Sequence, residues 1–141
     1  MSLKKFNKKE YQKEYYRKWE ENNPEYYNKW RKAKLKTDPN FRLHCNMRSA
    51  ISNVLAGRRK SASTMNIIGC SVEELFQHLE NCESWEPWMT RENYGKNGWD
   101  VDHIIAIANW DANCPLQFIL CWDKSNLQPM EHIANIKKGA G

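Results

Sequence analysis

Trp99-Asp100-Val101-Asp102-His103-Ile104-Ile105 is the stretch on which the reading of this chain turns. Its β-favouring Val101, Ile104 and Ile105 surround an Asp-His pair, so a strand is expected that ends near Asp102 and His103. Downstream stand Asn126, in Ser-Asn-Leu-Gln-Pro, and Asn135, in Ala-Asn-Ile-Lys-Lys. Together these four side chains could hold one divalent metal and one poised imidazole, the combination that phosphodiester hydrolysis requires. A regular strand sends adjacent side chains to opposite faces, so Asp102 and His103 meet one site only if the strand frays or bends there. A bend is expected.

Working outward, Asn93 to Gly98 is dense in turn formers and reverses the chain just before the strand. Ala106 to Ser125 forms a long excursion that carries Trp110, Pro115 and the apolar run Phe118 to Trp122, and Asn126-Leu127 reads as a short return strand. A last helix follows, with Pro129 in its first turn, Glu131 near its positive end, Lys137 and Lys138 at its negative end and Gly139 beyond. Asn135 sits off the apolar stripe of Met130, Ile133 and Ala134, which leaves its side chain free to act as a ligand, and His132, one turn earlier, is an alternative. Read one at a time, these residues are surface, turn and helix-face positions. Only their joint occurrence makes a site.

Upstream, Tyr15-Tyr16-Arg17-Lys18-Trp19 recurs as Tyr26-Tyr27-Asn28-Lys29-Trp30, and each copy is followed by a proline, at Pro24 and Pro39. The residue before proline avoids the α region, so two helices broken near Asn23 and Asp38 are expected. Tyr11, Tyr15 and Trp19 form an aromatic stripe that either packs on the rest of the domain, the favoured reading, or lines a nucleic-acid surface. A third amphipathic helix is expected from Phe41 to Leu55, with Gly57 past its end, followed by a basic loop at Arg58-Arg59-Lys60. Ser71-Val-Glu-Glu74 is a capping box that starts a helix reaching about Cys82, and His78 lies off its apolar face. Trp85, Trp88 and Met89 are expected in the core, and His44 is expected to be structural or a phosphate contact.

The charge is split. Residues 1–60 hold 17 Lys and Arg against 6 Asp and Glu, whereas residues 61–141 hold 5 against 11, within a net charge of +5. A basic front beside an acidic back suggests a polyanion grip attached to a separate working part. Five cysteines without a C-x-x-C pair indicate neither a disulfide framework nor a zinc knuckle, and are read as reduced, mostly buried thiols. The absence of an apolar run long enough for a span or a signal peptide leads to the expectation of an intracellular, non-secreted protein without membrane contact.

Trp-x-Val-Asp-His-Ile-Ile, Asn-Leu-Gln-Pro-Met and Asn-Ile-Lys-Lys-Gly together resemble the HNH endonucleases with a ββα-metal, or His-Me finger, motif, in the phage, viral and bacterial version ending in asparagine. The resemblance covers about residues 67 to 139, including Ile68-Gly-Cys-Ser71 and Met89-Thr-Arg-Glu-Asn-Tyr-Gly95. The Tyr-Tyr-x-Lys-Trp arm also resembles basic N-terminal segments of such proteins. It implies an α+β fold, mostly helical with a C-terminal ββα-metal motif, in which a basic helical DNA-binding arm (1–60) precedes the nuclease core (61–141). His103 becomes the general base, Asn126 the residue that orients its ring, and Asp102 and Asn135 the metal ligands. The cysteine pairs that bind a structural zinc in some relatives are missing, so no zinc is expected.

These roles suit the residue types. A neutral imidazole can take a proton from water near pH 7, and carboxylate and amide oxygens are hard ligands for Mg²⁺ or Mn²⁺. The expected function is therefore Mg²⁺-dependent hydrolysis of double-stranded DNA. Arg17, Lys18, Lys29, Arg31, Lys32, Arg58, Arg59, Lys60, Lys137 and Lys138 are the expected DNA contacts, and double-strand cleavage would take either a homodimer or two visits. The alternatives are a non-catalytic DNA-binding protein and an RNA-directed or structure-specific nuclease.

Overall fold

The computed structural model describes residues 5–58, 60, 62–95 and 97–140; in them helices predominate around one two-stranded antiparallel sheet. The N-terminal helices are α1 (Lys8–Asn22), α2 (Tyr26–Thr37) and α3 (Pro39–Leu55). Their breaks fall where the prolines dictate. Asn7 caps α1 through the amides of Lys9 and Glu10, and Asp38 caps α3 by accepting from Phe41 N at 3.1 Å, with Pro39 in the first turn where its missing N–H costs nothing.

Neither α1 nor α2 buries a residue. The Tyr11, Tyr15 and Trp19 stripe does not pack on the domain as first expected; Tyr11 is 60 % exposed, and Trp19 meets Tyr26 edge-on at 4.8 Å across the helix break. Lysines, arginines and glutamates surround these rings on every side, so α1 offers no wholly apolar face to bury. In contrast, α3 sinks Leu43, Met47, Ile51 and Leu55 into the core, one turn apart. Although it lies within residues 1–60, α3 therefore packs with the part that follows.

Arg42 is buried on α3 as well. Its guanidinium donates to Tyr94 O (2.6 Å), Leu35 O (2.6 Å) and Glu92 O (3.0 Å), with a longer bond to Arg91 O (3.3 Å). One side chain thus ties the end of α2 to the turn that leads into the sheet. Burial lowers its pKa from the ordinary arginine value without threatening its charge.

The expected basic loop runs into a short helix, α4 (Thr64–Ile68), that seats Ile67 and Ile68 in the core. In α5 (Val72–Glu80), Ser71 Oγ accepts from Glu74 N at 3.1 Å, and Leu75, Phe76 and Leu79 are buried. Of the three residues expected in the core after it, Met89 is buried and Trp85 half-buried. Trp88 is exposed, its indole N–H held outside by the Glu86 carboxylate. At the end of the following turn Gly98 is required, because a Cβ there would collide with the carbonyl oxygen of Asn93.

Strand β1 (Trp99–His103) pairs with β2 (Leu127–Glu131) in antiparallel register, Asp102 opposite Gln128 and His103 opposite Leu127. The excursion between them holds α6 (Pro115–Trp122), an element not expected from the sequence, which buries Phe118, Cys121 and Trp122. The last helix, α7 (His132–Ala140), starts three residues later than expected, because Pro129 belongs to β2, opposite Val101. With a single neighbouring strand, β2 tolerates a residue lacking an N–H. Of the cysteines, all unpaired, only Cys121 is buried and the other four are half-buried. No described helix is long and apolar enough to cross a membrane.

Candidate functional site

Alternation along β1 puts Asp100 and Asp102 on one face, against α7, and Trp99, Val101 and His103 on the other, against the core. A helix carries residues three apart on one side, and α7 turns His132, Asn135 and Lys138 toward the two aspartates. The helix therefore docks through its polar side. Ile133 is 51 % exposed and Ile136 54 %, the reverse of the orientation that the apolar stripe suggested.

Asp102 is 8 % exposed, and its Oδ2 accepts from Gln128 Nε2 at 2.9 Å and from Lys138 Nζ at 2.6 Å. Lys138 also donates to the carbonyl oxygen of His103 at 3.0 Å. Asp100 Oδ2 binds His132 Nδ1 at 2.7 Å and accepts from Asn135 Nδ2 at 3.2 Å. Asp100 was absent from the sequence reading of the site. The signal was nonetheless present in the Asp-x-Asp spacing, which places both carboxylates on one strand face.

His103 packs its ring edge-on against Trp122, centroids 4.5 Å apart, and its Nε2 is buried without a hydrogen-bond partner among the described residues. Burial is the largest influence on its pKa and lowers it from the ordinary histidine value; Asp102 opposes the shift and Lys138 adds to it. The imidazole is therefore held neutral. A nearby polar atom would complete it.

A groove of about 370 Å³ is lined by Asp102, His103 and Asn135, together with Val101, Trp122, Lys138 and the α3 residues Met47 and Ala50. Strand pairing holds through His103, and the chain bends at Ile104 and Ile105. The bend thus follows the Asp-His pair. Three consecutive residues of β1, Val101 to His103, line this one groove.

Asn126 stands apart from this lining. Its Oδ1 accepts from Ile105 N at 2.9 Å, and its Nδ2 donates to Cys121 O at 2.9 Å and Ile105 O at 3.2 Å. It braces the bend that follows His103, so its amide is committed to backbone and not to the imidazole ring. His78 has a comparable structural task, with Nε2 2.9 Å from Leu127 O at the start of β2.

Asp102 and Asn135 both line the groove, and Asn135 Nδ2 is turned toward Asp100. The Lys138 ammonium beside Asp102 marks the place where the fold accepts positive charge. Carboxylate and amide oxygens are hard donors, the type that could hold a hard divalent cation. Among the described residues no group of three or more His, Cys, Asp and Glu gathers as an all-protein metal cage.

The expected DNA contacts are differently disposed. Arg17 is engaged by Glu14 and Glu21, Lys18 lies 3.8 Å from Glu14, Arg58 bonds Asn113 and Lys60 bonds Thr64. Lys29, Arg31 and Lys32 are exposed on α2, Lys137 is exposed on α7, and Arg59 lies outside the described residues. Lys138 points into the groove.

Two uncharacterized proteins of Acanthamoeba polyphaga mimivirus are similar to this chain, one 30 % identical over 105 residues and the other 27 % identical over 104. Each similarity spans 74 % of this chain but 45 % and 44 % of those proteins, so the chain spans under half the length of the relatives it matches. No protein-family profile matches the chain, and no solved structure matches it.

Proposed function

We propose that this chain is an HNH-type, ββα-metal endonuclease that hydrolyses DNA phosphodiester bonds with Mg²⁺ or Mn²⁺. The observation that carries the reading is the placing of His103, its ring packed on Trp122, in one groove with Asp102 and Asn135. The order of β1, β2 and α7, with the Asp-His pair on the first strand and Asn135 on the helix, supports it.

In this reading the His103 imidazole takes a proton from a water molecule as the water oxygen bonds to phosphorus. The P–O3′ bond breaks, the O3′ atom takes a proton from solvent, and the products carry a 5′-phosphate and a 3′-hydroxyl. Asp102 and Asn135 would hold the cation, which when bound neutralises charge on the phosphoryl and leaving oxygens. Asn126 fixes the bend that aims His103. Trp122 keeps bulk water from one side of the imidazole. A second copy or a second visit would supply a second cut for double-strand cleavage.

One observation favours a non-catalytic nucleic-acid-binding protein instead: Lys138 already neutralises Asp102. Incubation of supercoiled plasmid with the full chain and Mg²⁺, with and without chelator, decides between them. Nicked or linear products that vanish with chelator are expected. DNA that is retarded but uncut would favour the alternative, and cleavage confined to RNA or branched substrates would redirect the substrate assignment.

A further inference from the structure

A second groove, of about 380 Å³, lies between α2 and α3, with α3 as the wall it shares with the first groove. Tyr27 and Arg31, one turn apart on α2, face His44, Arg48 and Ser52, at successive turns of α3. Neither Asp nor Glu lines it.

The arginine inventory gives this groove its meaning. Arg17 and Arg91 are spent on glutamates, Arg42 on backbone carbonyls, and Arg58 on Leu55 O and Asn113. Arg31 and Arg48 carry no hydrogen bond or ion pair among the described residues, and both line this groove. Two guanidinium forks with free donors, an imidazole and a serine hydroxyl facing one space match the oxygens of a phosphate. The Tyr27 ring beside them offers a surface for a sugar or base, and the volume admits such a group. Charge repulsion between two unpaired arginines is relieved when an anion enters.

We propose that the α2–α3 groove is a phosphodiester-binding site, in which Arg31 and Arg48 grip the backbone of a nucleic-acid strand about one helix diameter, ~10–12 Å, from the His103 groove. The site rests on the nucleic-acid reading for its ligand, but not on catalysis.

The test is fluorescence anisotropy of a labelled DNA duplex with the full chain in chelator, over a series of salt concentrations. R31A/R48A should bind about ten-fold or more weakly, with a log–log salt slope shallower by about 2, because two phosphate contacts and their released counterions are lost. R31K/R48K should keep the slope. An unchanged affinity and slope in the alanine pair, or a lysine pair that loses as much slope as the alanine pair, would overturn the proposal. Titration with inorganic phosphate and with a nucleoside triphosphate separates the sources: a small anion held through Arg31 and Arg48, with duplex affinity unaltered by the alanine pair, also overturns it. Plasmid cleavage by the unmutated chain is read in parallel. Arginine-dependent binding without cleavage keeps this groove and removes the nuclease, whereas cleavage with arginine-independent binding does the opposite.

Discussion

The ammonium of Lys138 lies 2.6 Å from Asp102 Oδ2, so a side chain of α7 supplies the positive charge that this carboxylate of β1 faces. A divalent cation binding through Asp102 would compete with it for the carboxylate charge. Lys138→Met should lower the stability of the metal-free protein by about 1 kcal/mol, a modest figure because Lys138 is 39 % exposed. The same variant should bind Mn²⁺ several-fold more tightly. Urea unfolding in chelator and calorimetric titration with Mn²⁺ check the two effects, and an unaltered Mn²⁺ affinity would separate Lys138 from the metal position.

Asp100 holds Asn135 Nδ2 at 3.2 Å, which turns the amide oxygen of Asn135 away from Asp100. A group that orients a ligand contributes to affinity without touching the ion. Asp100→Ala should weaken Mn²⁺ binding about ten-fold. Asp100→Asn, which can still accept from Asn135, should recover part of that loss. Equal Mn²⁺ affinity in all three proteins would assign Asp100 to packing alone.

Burial lowers the His103 pKa, so the folded chain resists a proton that the unfolded chain accepts below about pH 6.5. In that window the unfolded state binds more protons, and stability rises with pH. The contribution is complete above about pH 6.5 and is lost as pH falls through the depressed folded value. Subtracting the unfolding profile of His103→Gln from that of the parent, between pH 5 and 8, should leave this slope. A difference that is flat or of opposite sign would show that the imidazole is not held neutral.

Arg42 bonds carbonyl groups some fifty residues away, at Tyr94, Glu92 and Arg91. Arg42→Met should cost about 2–4 kcal/mol, measured by chemical denaturation, since an apolar side chain leaves those acceptors unpaired. A loss under 1 kcal/mol would mean that water replaces the guanidinium.

Local chemistry made much of the fold legible. The prolines at 24 and 39, the cap at Ser71, and the spacing of Leu43, Met47 and Ile51 each act within a turn or two of chain. Long-range partnerships were hidden. Periodicity marked Ile133 as the buried side of α7, but the Lys138–Asp102 ion pair and the contacts of His132 and Asn135 with Asp100 turned the polar side inward instead. Pro129 reads as a helix start until β1 is present to pair with it, and α6 was concealed in an apolar run with no polar face to set its period. At the site, Asp102, His103 and Asn135 were found by type and spacing. Asp100 and the inward turn of Lys138 required knowing that strand alternation and helix spacing meet face to face.

The account rests on His103 as the base in the β1 groove, and the most direct measurement is the single-turnover cleavage rate of a labelled DNA duplex in Mg²⁺ by the parent chain and by His103→Ala, with duplex binding measured on both. The account predicts chelator-sensitive cleavage by the parent, a loss of about 10³-fold or more in the variant, and equal binding. Cleavage by His103→Ala within a few-fold of the parent rate would contradict it.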